Sequence, residues 1–332
     1  MIAVSVPFEL HPEVLVLVFG VLALGWYTAK VVQPKAVAAG YEPIRRSQRI
    51  WFGFAVSAMW AVSYWPVHEI AEEHLYFVHM FQHLFLSMLI PAMFVLATPR
   101  WLFELIIQPQ TKVWKFFRAG SKPLVAGLVF NALTLLLHSS GLVQLSFDSG
   151  AAHFALHLMV FTSGLLMWMP VVGPVEEWRI SPLGKCIYLF AMSIVPTVPS
   201  GWLVFAEEVV YRHYDTPDRL WGIGVLTDQQ AAGVVMKLVG GFFLWGVIFI
   251  IFTRWAHKEL AQDETDRNDR QRLQRESLTA SRSTSLGDTI DLAESGSDRS
   301  PEPGSADASV GVLTYEQVSR RFEQTPPPNE DR

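Results

Sequence analysis

Cysteine is nearly absent from this chain: among 332 residues there is one, Cys186. A single thiol excludes a disulfide framework and a thiolate metal cage within one chain, so Cys186 is assigned to packing. Charge is scarce as well, at 17% against 51% hydrophobic and 13% aromatic residues, a balance that favours a lipid-solvated chain. The net charge of −5 describes neither part of the molecule, because residues 1–257 are apolar with sparse charges while residues 258–332 are mostly Ser, Asp, Glu, Arg, Gln and Pro. Lys and Arg are missing ahead of the first apolar run, where Glu9 and Glu13 stand instead. That is the wrong polarity for a cleavable signal peptide, and the run is read as a retained helix. Catalytic motifs are missing too. His68-Glu69 is not followed by the second histidine of a His-Glu-x-x-His site, and Met80 replaces the glutamate such a site would need between His79 and His83. No Walker-type loop, nucleophile elbow or dinucleotide fingerprint stands in a plausible context, and no internal repeat is evident. The expectation is a protein that is not an enzyme and has no nucleic-acid partner.

What is present is a series of long apolar runs. A membrane-crossing helix needs about 20 mainly apolar residues, and seven segments qualify: 14–29, 50–67, 75–98, 123–138, 151–172, 183–205 and 230–253. The expected fold is all-α, an integral membrane bundle of seven transmembrane helices over residues 1–257. Lys and Arg collect in alternate loops, at Lys30 to Arg49, Arg100 to Lys122, Arg179 to Lys185 and Arg254 to Lys258, while the intervening loops hold few. The positive-inside rule then places the N-terminus outside and the C-terminal part in the cytoplasm. Residues 258–332 lack the apolar content to offset chain entropy and read as a disordered tail, with a short stretch at 312–322 able to fold on a partner or a membrane surface.

Ten histidines occur, and this topology puts all but His257 on the outer side. His79 with His83, and His153 with His157, have i, i+4 spacing, so each pair projects from one helix face. His138 ends the fourth span at the same level, and Asp228 opens the seventh with Gln229 and Gln230. A lone histidine near a helix end is ordinarily an interfacial hydrogen-bonding group; two spaced pairs on one leaflet point to ligation, because ionisable groups within spans are costly and mark function. Imidazole suits copper, zinc, iron and nickel. His79, His83, His138, His153, His157 and Asp228 are the expected metal ligands, with weak support for Cu(I) from nearby Met80 and Met159. His68, His74 and His213 read as loop or helix-edge residues. Pro91, Pro170, Pro196 and Pro199 would kink spans, and Gly164, Gly240 and Gly241 would admit close helix approach. Lys237, about two and a half turns along from Asp228, needs a partner that the sequence does not name.

The combination His79-Met80-Phe81-Gln82-His83, Pro91, Thr98-Pro99, His138, His153 with His157, Trp168-Met169-Pro170 and Asp228-Gln229-Gln230-Ala231-Ala232-Gly233 resembles the CtaG family of cytochrome c oxidase assembly factors, the type associated with caa3 oxidases. The resemblance covers nearly all of residues 10–255 and none of the tail. It implies a non-catalytic plasma-membrane protein that works with haem-copper oxidase subunits and handles copper for the oxidase copper centre. One departure is Leu156, where the family often has a glutamate before the histidine. Two other readings compete. A haem carrier would use His83 and His157 as axial ligands, but i, i+4 pairs crowd imidazoles onto one helix face. A copper transporter would need ligands on both sides, and the inner side offers mainly His257 and scattered methionines.

Overall fold

The structure, a computed structural model, describes residues 6–217 and 219–295, with side chains through residue 279. Among these residues every regular element is helical. In chain order, α1 (Pro12–Ala38) is followed by α2 (Arg46–Ser63) and α3 (Val67–His74), which meet at a bend of 52°. Next come α4 (Tyr76–Ala97), α5 (Arg100–Ile106), and α6 (Lys112–Gly120) with α7 (Pro123–Leu137) at a bend of 73°. The chain continues through α8 (Ser140–Asp148), α9 (Gly150–Val172), α10 (Pro182–Val204) and α11 (Val225–Ser295). Five of the described helices are long and apolar enough to cross a bilayer, and seven spans result if each bent pair counts as one.

Local chemistry sets these boundaries. Proline opens α1, α7 and α10, where its missing N–H is one that a helix start leaves unpaired anyway. Ser149 and Ser181 accept hydrogen bonds from the first turns of α9 and α10. The expected second span, 50–67, is not straight: the chain leaves helix geometry at Tyr64 and restarts after Pro66. That restart re-aims α3, which carries His68, Glu69 and Glu72.

The chain divides into two compact units, Met1–Ala261 and Gln262–Arg332. In the first, Met88, Phe130, Met167, Trp168 and Leu189 form the largest buried cluster, and Tyr76, Met80, Leu203, Tyr211 and Tyr214 form another. Large apolar side chains such as Phe19, Leu124 and Phe242 stay exposed, as befits helices whose outer surface is solvated by lipid. Past Lys258 the described residues, through 295, continue α11 as helix, and the remainder of the expected disordered tail lies outside the described residues. Residues 258–286 contain neither Pro nor Gly and are rich in good helix formers, and Arg272 donates to Glu276 across 2.9 Å at i, i+4 spacing. The stretch at 312–322 lies outside the described residues.

Candidate metal centre

The site is built where α3, α4 and α9 meet. On α4 the helical spacing puts His79 and His83 on one face, and on α9 it does the same for His153 and His157. The two faces are pressed together by a missing side chain: a Cβ on Gly164 would collide with the Ser87 carbonyl and approach Pro91 Cγ to 2.8 Å. Gly164 lies about two turns from His157, so this close contact of α9 with α4 sets the approach of their histidines. Two stretches of π-helix flank the site, Ile70–His74 in α3 and Phe85–Leu89 in α4. Such widened turns shift the phase of the side chains that follow and recur at functional sites. Glu72 sits within the first, and His83 lies two residues before the second.

The resulting geometry is dense. His157 Nε2 and His83 Nε2 are 3.0 Å apart, and the rings of His79 and His83 are 4.5 Å apart between centroids. His79, His83 and His157 each bring a ring nitrogen within 4.8 Å of the others, as do Glu72, His153 and His157 with their own ligand atoms. The buried Glu72 carboxylate spans both groups: Oε1 accepts from His79 Nδ1 at 3.1 Å, and Oε2 lies 3.5 Å from His153 Nδ1. His138 Nδ1 donates to the Thr134 carbonyl at 2.6 Å. Those contacts place the Nδ1 protons of His79 and His138 on oxygen acceptors and leave the Nε2 of each with a lone pair. For His138 and His153 the Nε2 is buried without a hydrogen-bond partner, which in a buried polar group calls for an explanation. Both line one cavity of about 30 Å³, together with His79, His83 and His157, room enough for a water or an ion.

The structure thus gathers all five sequence-predicted histidines around one cavity. It does not bring Asp228 there. Asp228 is fully buried, and its two oxygens accept from the backbone N–H groups of Tyr76 and Phe77 at 2.8 and 3.0 Å. It therefore caps the start of α4 from α11, meeting donors that a helix N-terminus leaves unpaired. Its neighbours are structural in the same way: Gln229 Nε2 donates to Tyr211 O at 2.8 Å and Oε1 accepts from Val210 N at 2.9 Å, while Gln230 Nε2 donates to Ala206 O at 3.0 Å. The Asp-Gln-Gln run ties the loop after α10 and the histidine helix to α11.

Sequence reasoning missed Glu72. Three carboxylates, Glu69, Glu72 and Glu73, in the helix that restarts after Pro66 in an apolar bundle were the signal available. Leu156 lacks a carboxylate where the resemblance led one to expect it, and Glu72 supplies one beside His153 and His157 from another helix. Of the histidines read as edge residues, His213 stacks on Phe147 with centroids 3.6 Å apart and bonds the Glu72 carbonyl at 3.1 Å, and His68 lies edge-on to His153. Met159 is 41% exposed and turned from the cluster, whereas Met80 lines the cavity. Lys237 finds its partner in Thr197 Oγ1 at 2.6 Å.

Residues 25–258 match the family described as cytochrome c oxidase caa3 assembly factor (Caa3_CtaG). The chain belongs to this family. The matched span contains α2 to α10 and every histidine of the cavity. No curated protein and no solved structure gave a match. Membership in an assembly-factor family implies contact with oxidase subunits in a bilayer.

Proposed function

We propose that this caa3 assembly factor binds copper as cargo in the cavity lined by α4, α8, α9 and the end of α7, with Glu72 of α3 beside it, and delivers it to the copper centre of a haem-copper oxidase. The observation that carries the reading is the 3.0 Å separation of the His83 and His157 Nε2 atoms, with Glu72 bound to the far nitrogen of the adjacent His79. Two imidazoles on one ion at about 2.0 Å would place their nitrogens roughly 2.8 to 3.3 Å apart, for square-planar and tetrahedral angles respectively. A carboxylate on the second ring nitrogen fixes the tautomer and raises the basicity of the ligating one. The ligands are His79, His83 and His157, with His153 completing the set beside Glu72 and His138 lining the same cavity. An all-nitrogen and oxygen donor set accepts Cu(II) readily, and imidazole also holds Cu(I).

The protein's own groups would do three things. Glu72 offsets the charge of a cation drawn out of water, Gly164 holds the two histidine faces in register, and Asp228 anchors the start of α4. Delivery by ligand exchange needs no bond to be made or broken in a substrate, which is a non-catalytic role. By the distribution of Lys and Arg, the cavity opens toward the outer face of the cell membrane and the C-terminal part lies in the cytoplasm. The haem-carrier reading is disfavoured, since a separation of 3.0 Å leaves no room for a porphyrin between His83 and His157.

The test is made in cells that depend on the caa3-type oxidase. His83→Ala and His157→Ala should each leave this protein in the membrane, because no backbone hydrogen bond is touched, yet yield oxidase with haem and without its copper. Oxidase with normal copper content in both variants would refute the proposal.

A further inference from the structure

The segment ahead of α1 takes part in a second group of ligand atoms, one that the copper cavity does not use. Glu9, His11 and Glu69 each bring an oxygen or ring nitrogen within 4.8 Å of the others. They come from two separate stretches of chain, the N-terminal segment and α3. His11 Nε2 is bonded to Glu69 Oε1, and its Nδ1 lies 2.9 Å from Glu13 Oε1. Glu69 is 6% exposed while Glu9 is open to solvent, so the group runs from the surface into the wall of the bundle. Glu9 and His11 precede residue 25, where the family match begins.

This outer group is connected to the inner one by imidazoles. The His11 and His68 rings meet edge to face at 4.7 Å between centroids, and His68 meets His153 at 6.2 Å. His68 is held in place between them by Gln82, whose amide nitrogen lies 2.8 Å from Val62 O and 3.3 Å from His68 Nδ1. From the surface inward the order is Glu9, His11 with Glu69, His68, then His153 with Glu72.

We propose that Glu9, His11 and Glu69 form a second, outer binding site for a divalent transition-metal ion, from which the ion passes by way of His68 to the inner cavity. Two carboxylates and one imidazole, with no sulfur, favour a borderline divalent ion such as Cu(II) or Zn(II) over Cu(I). Passage is an exchange of ligands with no change of oxidation state. The outer site stands on its own geometry; only the passage inward rests on the reading of the cavity as a copper site.

The full chain, purified in detergent and stripped of metal, is titrated with Cu(II) in a non-coordinating buffer; bound copper is counted after gel filtration and examined by electron paramagnetic resonance. The wild type should retain two ions, one in an imidazole-rich and one in an oxygen-rich environment. Glu69→Gln and the surface variant Glu9→Gln should each retain one, with the oxygen-rich signal lost. Unchanged copper in both would overturn the outer site. The double variant His79→Ala/His83→Ala should keep the oxygen-rich ion alone; if it retains both while Glu69→Gln loses one, the cavity reading fails and the outer site survives. His68→Ala should retain two ions but lose the fast phase by which the imidazole-rich signal appears, and fast filling in that variant would overturn the passage.

Discussion

The two ends of α4 and α9 handle charge in opposite ways. Past their C-terminal ends, Arg100 donates to Glu177 at 2.8 and 3.0 Å and to Glu104 at 2.7 Å, with the Arg100 and Glu177 side chains 48% and 63% exposed. Near their N-terminal ends, Glu72 and His79 are paired at 12% and 8% side-chain exposure, and His138 and His153 keep buried ring nitrogens that nothing among the described residues satisfies. The exposed pairs are optional, since water can replace either partner. The buried ones are not. A group held away from water with a lone pair unmet is costly, and two such imidazoles lining one cavity beside a buried carboxylate are the observation on which the proposed cation site rests.

The contrast can be broken most severely at Glu72. Glu72→Ala leaves the Nδ1 proton of His79 without its acceptor and removes the carboxylate beside His153, and should lower thermal stability by roughly 2 kcal/mol while weakening copper retention about 10–100-fold. Glu72→Gln should recover much of the stability and little of the copper, as measured by thermal unfolding in detergent and by copper content. Next in size, Gly164→Val should cost about 1–3 kcal/mol by forcing α9 off α4 and should weaken copper binding with every ligand intact. Asp228→Ala sharpens the comparison from the other side: losing the cap of α4 should cost about 1 kcal/mol and leave the number of bound copper ions unchanged, whereas an equivalent loss of copper would restore Asp228 as a ligand. The smallest effect is expected at Glu177, whose carboxyl is held below the usual range by its hydrogen bond from Arg100. Because that pKa is lowered, the contact is complete above the ordinary carboxylate range and fades as pH falls through the lowered value; Glu177→Gln should remove this slight pH dependence from the unfolding temperature and nothing else.

Much of this was legible in the sequence, for identifiable reasons. Apolar length gave the helices, and i, i+4 spacing gave the two histidine pairs, because both depend on local geometry alone. The level of His138 followed from its place at the end of a span. The bend after Ser63 was not legible in a run read as one continuous span, although Pro66 was its visible agent, and with it went the position of Glu72. The place of Asp228 was not legible because its partners, the backbone N–H groups of Tyr76 and Phe77, have no sequence signature: any helix start offers them, and which distant carboxylate accepts is a matter of packing. The partner of Lys237 stayed hidden for the same reason, since Thr197 lies on another helix. Over residues 258–295 composition speaks for disorder and local propensity for a helix.

The account stands most directly on the copper environment itself. X-ray absorption at the copper edge, recorded on the full chain in detergent with one equivalent of copper and on the His83→Ala/His157→Ala variant, reads the ligands without reference to the oxidase. The expected result is a wild-type shell of nitrogen and oxygen at about 2.0 Å with several imidazoles, and loss of that imidazole signature in the variant. A sulfur-dominated shell, or the same spectrum from both proteins, would contradict the claim that this histidine cavity holds the metal.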